Sequence, residues 1–211
     1  MKKHLSFFAI LTVILFSCKK GNEQPSSNQQ PEKLGDSYQP VTKGTYWKYN
    51  TASGTSIRTM TGETAVFKGK TYYKFTAEFN YKGASLAYYG QQNGDYFLYS
   101  VEPVIGEDEA LYLKENAAVG DTWIQDVASY NGIKVRNIGK IIEKNINRVV
   151  LGKTYNNVIH TQILVQSSPL GSTTYSDAQT INYYIAKGIG IIDVSDSTGP
   201  SILKLTEYAI K

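Results

Sequence analysis

The chain has 211 residues, of which 22 are basic and 18 acidic, with one cysteine and two histidines. One cysteine excludes an intrachain disulfide, so the fold must rest on its core; a domain of this size can hide about 70% of its extended-chain surface. The near balance of charge excludes the strongly basic character expected of a nucleic-acid binder.

Met1 to His4 include two lysines, and a mostly apolar run follows from Leu5 to Phe16. A short basic segment before about 7–15 apolar residues is the pattern of a secretory signal peptide. A membrane-spanning helix would need about 20 apolar residues. Leu15-Phe16-Ser17-Cys18 closes the run. It resembles the bacterial lipoprotein signal, in which Leu and two mostly small residues precede a Cys. The resemblance implies that the Cys18 thiol receives a diacylglyceryl group and that cleavage leaves Cys18 as an acylated N-terminus. Phe16 departs from the small residue usual at its place. An ordinary signal peptide with a chance cysteine is the plainer alternative, but it leaves the position of the chain's single Cys unexplained. Removing residues 1–17 takes away Lys2 and Lys3 and leaves 20 basic against 18 acidic residues, a formal +2. The expected address is the bacterial envelope, lipid-anchored at the outer membrane, on its periplasmic face or the cell surface.

From Lys19 to Ser37 the residues are Gly, Asn, Gln, Pro, Ser, Asp, Glu and Lys, with Leu34 the one large apolar side chain. Such a stretch cannot bury enough surface to offset its ordering entropy. It reads as a tether, about 25 Å in root-mean-square reach. The expected organisation is therefore a signal peptide over 1–17, a lipidated Cys and tether over 18–37, and one domain over 38–211.

Past Tyr38 the chain is rich in tyrosine and β-branched residues. Thr71, Tyr73, Phe75, Ala77 and Phe79 alternate against Tyr72, Lys74, Thr76 and Glu78. Ile159, Thr161, Ile163 and Val165 alternate against His160, Gln162 and Gln166; Ile181, Tyr183 and Ile185 alternate against Thr180 and Asn182. Period two marks half-buried strands. Asn93-Gly94-Asp95 and Asn131-Gly132 favour tight hairpins, because Asn and Gly accept positive φ; Lys68-Gly69-Lys70 and Gly152-Lys153 read as further turns. The best helix candidate is Gly106 to Asn116, for its acidic first turn, yet Leu111 and Leu113 alternate there as in a strand. The pattern predicts an all-β domain, an antiparallel meander forming a curved sheet, a sandwich or an open barrel.

Three landmarks recur in order. Gly44-Thr45-Tyr46-Trp47 is echoed by Gly120-Asp121-Thr122-Trp123, and Gly69-Lys70-Thr71-Tyr72 by Gly152-Lys153-Thr154-Tyr155. Tyr88-Tyr89 is echoed by Tyr183-Tyr184. The offsets, 76, 83 and 95 residues, grow as loop insertions would make them grow. Either the domain is built from two pseudo-repeats or a Gly-, Thr- and Tyr-rich chain matches itself by chance. Trp47 and Trp123 are expected to plug the core near a sheet end, each indole N–H finding a carbonyl.

Pro40-Val41-Thr42-Lys43-Gly44-Thr45-Tyr46-Trp47-Lys48-Tyr49, Val119-Gly120-Asp121-Thr122-Trp123 and Tyr183-Tyr184-Ile185-Ala186-Lys187-Gly188-Ile189-Gly190 resemble a broad group of uncharacterised exported lipoproteins of Bacteroidetes type. In that group a Gly-x-x-Trp segment opens a β domain and a Tyr-Tyr-x-Ala-x-Gly-x-Gly segment stands near its end. The resemblance implies the β fold and the envelope location, and it carries no activity.

Residues suited to chemistry are few. Beyond the signal segment there is one histidine, His160, and no thiol other than Cys18, which leaves no Cys nucleophile and no multi-histidine metal site. No Gly-x-Ser-x-Gly elbow accompanies His160, so a surface strand position is its expected role. Glu107-Asp108-Glu109 lacks the spaced ligands of a calcium loop and reads as a solvated acidic loop. Gly188-Ile189-Gly190 precedes no helix and reads as a turn rather than a phosphate cradle. Tyr72, Tyr96 and Tyr184 lie opposite apolar neighbours in their strands; exposed, they could stack on a glycan or peptide, and otherwise they serve as strand formers. No cofactor or metal is implied. Three functions stay open: a non-enzymatic binding or scaffolding lipoprotein, a periplasmic carrier of a hydrophobic ligand, and a hydrolase with dispersed carboxylates.

Overall fold

The computed structural model describes residues 36–80, 82–102, 106–130, 132–199 and 201–211. Cys18, the signal segment and all of the tether up to residue 35 lie outside the described residues. Twelve strands follow in order: β1 Tyr46–Thr51, β2 Gly54–Phe67, β3 Lys70–Phe79, β4 Lys82–Gln92, β5 Asp95–Glu102 and β6 Gly106–Lys114, then β7 Thr122–Tyr130, β8 Ile133–Val150, β9 Lys153–Ser168, β10 Ser176–Ala186, β11 Gly190–Asp196 and β12 Ser201–Ala209. The helix candidate at 106–116 is β6, so the alternation of Leu111 and Leu113 outweighed the acidic start.

All twelve form one antiparallel sheet, ordered β6-β5-β4-β3-β2-β1-β12-β11-β10-β9-β8-β7. The first and last strands pair, Tyr46 opposite Ala209 and Tyr49 opposite Leu205, which curls the meander into a nearly closed barrel. The predicted turns form where positive φ is available. Asn93-Gly94 (φ 54° and 82°) joins β4 to β5, and the turn expected at Gly152-Lys153 lies one residue earlier, where Leu151-Gly152 (48° and 82°) joins β8 to β9; two successive left-handed residues match the twist of a hairpin. Leucine enters that region only at a steric cost, offset here by the pairing on either side.

The matching landmarks fall on corresponding strands, β1 and β7, the starts of β3 and β9, and β4 and β10. The first pair repeats its backbone bonding in full. Gly44 N–H donates to Met60 O (3.0 Å), Thr45 N–H to Thr42 O (3.0 Å) and Met60 N–H to Thr45 O (2.9 Å). In the second half Gly120 donates to Ile141 O (2.9 Å), Asp121 to Ala118 O (3.1 Å) and Ile141 to Asp121 O (3.1 Å). The tyrosine pair matches by strand but not by face: Tyr89 and Tyr183 point inward, Tyr88 and Tyr184 outward. A one-residue offset reverses every side chain of a strand.

Under this plan the β6–β7 seam corresponds to the β12–β1 seam, yet only the latter is zipped by a ladder. At β6–β7 the inward-facing Gln125 substitutes for a strand. Its Oε1 accepts from Leu111 N–H (2.8 Å) and its Nε2 donates to Glu109 O (2.8 Å). Thr161, on the inner face of β9, donates to Tyr112 O (2.8 Å). β6 therefore tucks inside the opposite edge, which buries both faces of Leu111-Tyr112-Leu113 and hides an edge that would otherwise recruit other chains.

One end of the barrel is plugged by residues 37–41. Gly188 N–H donates to Ser37 O (2.8 Å), Ser37 Oγ bonds Gln91 (3.1 Å), Tyr38 N–H donates to Tyr96 Oη (3.2 Å), and Tyr112 Oη donates to Gln39 Oε1 (3.3 Å). Ser37, assigned to the tether by composition, is buried here. Trp47 closes the same end, its indole N–H on Ile189 O (2.6 Å).

Candidate functional site

Sheet parity decides which residues face the barrel interior. Cross-strand partners share a face, so Trp47, Arg58 and Ala77 point the same way across β1, β2 and β3. Extended around the ring, this inner face shows one gradient. Near the plug its residues are buried: Phe75, Tyr89, Tyr96, Tyr112, Trp123, Ile141, Ile163 and Ile185. Toward the other end the same face is partly exposed, at Ser56, Ala77, Leu98, Ala110, Val127, Val135, Val165 and Ile181. The gradient appears on strand after strand, so it belongs to the barrel. This gradient describes a cup whose floor, at the plug, is aromatic and whose mouth, at the other end, mixes apolar residues with polar ones such as Ser56, Asp108 and Asp196.

Arg58 stands in this cup. Its Nη1 donates to Tyr89 Oη (2.8 Å), and the guanidinium lies 5.2 Å from the Tyr49 ring centre and 5.7 Å from that of Phe75. Tyr49 is anchored in turn, donating to Ile191 O (2.9 Å). Among the described residues no carboxylate lies within ion-pair distance of Arg58. Tyr112 and Tyr183 stack at 5.9 Å elsewhere on the inner face. Burial pushes the Tyr183 phenol up to about 12, against the pull of Arg58, so it stays a protonated donor.

Three buried polar atoms of the interior and its plug have no partner: Trp123 Nε1, Asp108 Oδ1 and Gln39 Nε2. Trp123 thus departs from the expectation that each indole finds a carbonyl. Its ring lies over Gly139, where an added Cβ would sit 2.0 Å from it. Burial pushes the Asp108 carboxyl up, opposed by the Glu109 amide and by Lys68. An acid whose folded pKa exceeds its unfolded value binds more protons when folded, so stability falls as pH rises from the unfolded through the folded pKa. Asp108→Asn should therefore leave the protein at least as stable as the wild type at pH 7, with the advantage shrinking as pH falls below the ordinary carboxylate range. Urea denaturation at several pH values checks this; a variant less stable at pH 7 would contradict it.

The sequence-selected tyrosines are not a shared exposed surface. Tyr72 and Tyr96 are each 0% exposed. Past the irregular pairing between Met60 and Thr64, the β2–β3 hairpin folds across the outer face of the sheet, bringing Phe67 onto Tyr99 at 4.3 Å although β3 and β4 lie between their strands. Tyr72, on the hairpin itself, is sealed between Phe67 (5.7 Å) and Tyr99 (5.1 Å). Tyr96 points inward under the plug and donates to Glu115 (2.8 Å). Tyr184 is half-buried on the outer face, between the His160 ring (4.3 Å) and the Arg148 guanidinium (3.8 Å).

His160 is likewise buried rather than on the surface, at 8% exposure. Its ring nitrogens meet Glu143 (3.1 Å) and Asn182 (3.0 Å), while Arg148 pairs with the buried Asp193 (2.7 Å). Ser201 Oγ donates to Asp193 Oδ1 (3.2 Å). The acidic run at 107–109 is strand, not loop: Glu109 is buried beneath Lys70, which also lies 3.9 Å from the Phe97 ring. Alternation along a strand does not reveal that a hairpin will fold over its outer face, as the β2–β3 hairpin does here. Arg58 was missed because a single Arg amid Ser56, Ile57 and Thr59 carries no sequence signal.

Among described residues, no group of three or more His, Cys, Asp or Glu could hold a metal ion, and no helix is long and apolar enough to cross a membrane. No family profile and no curated protein matches the chain. A solved structure of a "putative lipoprotein" from Parabacteroides distasonis is similar in fold, with a TM-score of 0.51 and 13% sequence identity. The likeness covers 82% of this chain and 99% of that one.

Proposed function

We propose that this chain is an exported bacterial lipoprotein, anchored through Cys18 at the outer membrane, whose barrel carries an apolar ligand. The address rests on the Leu15-Phe16-Ser17-Cys18 signal and agrees with the description of the similar fold from Parabacteroides distasonis. The carrier reading rests on one observation, the inner face that carries many apolar side chains and grows more exposed toward the mouth. Concave, mostly apolar sites with a few placed polar groups are where small molecules bind. The chain enters the barrel at the plugged end, so the tether joins opposite the mouth. Surface recognition by exposed tyrosines is the weaker alternative, because Tyr72 and Tyr96 are buried.

Filling the cup tests the reading. Ala110 faces inward and is partly exposed, whereas Leu86 faces outward at 47% exposure. Full-length protein should bind the uncharged fluorescent probe N-phenyl-1-naphthylamine. Ala110→Trp should weaken that binding tenfold or more without loss of the fold by circular dichroism, and Leu86→Trp should leave it unchanged. Equal binding by all three proteins would rule the cup out.

A further inference from the structure

The geometry points to a ligand with an anionic head, a long-chain carboxylate by class, bound head-inward on the Arg58 guanidinium. This rests on the carrier reading and names what that carrier takes.

The first support is that the barrel plan does not require a cation at this position. Trp47 on β1 pairs with Arg58 on β2, and the corresponding Trp123 on β7 pairs with Gly139 on β8. In the second half the tryptophan packs directly over the neighbouring strand with no charge involved. Arg58 is an addition to one half only.

The second support is its surroundings. The guanidinium is held by Tyr89 and flanked by the Tyr49 and Phe75 rings, and a cation between aromatic faces is stabilised yet keeps its charge. No described carboxylate neutralises it, and removing a charge from water without a partner is costly. Arg58 as a residue is only partly buried. Its planar fork can take a carboxylate through two parallel N–H donors, a geometry that suits guanidinium better than ammonium. Asp108 and Asp196 also face inward, but burial raises the carboxyl of the first, and the second is committed to Gln179 and Thr198. The partly exposed Leu98, Val165 and Ile181 would line the acyl chain toward the mouth.

The full chain carrying Cys18→Ser, which removes the acylated thiol, allows binding to be measured without detergent. Its affinity for palmitate and for hexadecanol, of equal chain length, should be compared by displacement of the neutral probe. Palmitate should bind at least tenfold tighter. Arg58→Met should abolish that preference while retaining hexadecanol binding, and Arg58→Lys should restore part of it. Equal affinity for acid and alcohol, or a preference that survives Arg58→Met, would overturn the carboxylate assignment and leave the carrier standing. If the probe and both lipids fail to bind, the carrier reading falls as well.

Discussion

Replacing Trp47 with alanine should destabilise the barrel by about 3–5 kcal/mol, the usual cost of emptying a fully buried aromatic site. The side chain is 0% exposed, packs edge-on against Tyr89 at 6.0 Å and donates to Ile189 O. Alanine removes the packing and leaves that carbonyl without its donor, so cavity and hydrogen-bond costs add. Out of a total stability of about 5–15 kcal/mol this is a large share. Phenylalanine separates the two contributions. Trp47→Phe loses the bond to Ile189 O, whereas Trp123→Phe gives up an indole N–H that had no partner. Trp47→Phe should therefore be the more damaging by about 1 kcal/mol, after allowance for unequal packing. Equilibrium denaturation measures both. A Trp47→Ala cost below about 1 kcal/mol would mean that the plugged end is not part of the cooperative core.

Cys18→Ser should abolish membrane attachment outright. Serine has no thiol to alkylate, and stable anchoring comes from two or more acyl chains rather than from a weak surface contact. In the expressing bacterium, the wild type should incorporate a clickable fatty-acid label and fractionate with membranes. The variant should carry no label and either remain unprocessed or appear in the soluble fraction. Equal labelling of the two proteins would end the lipoprotein reading, whatever the barrel binds. The barrel itself should be unaffected, because the plug begins only at Ser37. A Cys18→Ser protein with wild-type denaturation behaviour would place the anchor and the fold on separate parts of the chain.

The sequence by itself determined the strands and much of their facing. Phe75 and Ala77, Ile159 to Val165, and Ile181 to Ile185 point inward as alternation requires, because a strand must send successive side chains to opposite faces. It also located the turn at Asn93-Gly94, placed the one before β9 at Gly152-Lys153, one residue past the observed Leu151-Gly152, and found the recurrence whose landmarks fall on corresponding strands. These are local properties, carried by a few adjacent residues. Tertiary structure alone decided which outer faces stay wet. Tyr99 and Glu109 sit on the outer face but are buried, because the β2–β3 hairpin brings Phe67 and Lys70 over them from strands that are not their neighbours in the sheet, and Tyr72, on that hairpin itself, is buried against Tyr99. It alone decided that Gln125 would seal the β6–β7 seam and that Arg58 would stand inside the barrel. Period two says that two faces exist; it does not say which one the closing sheet will enclose. Curvature and closure follow from pairing between residues as distant as Tyr46 and Ala209, and no local pattern contains that pairing.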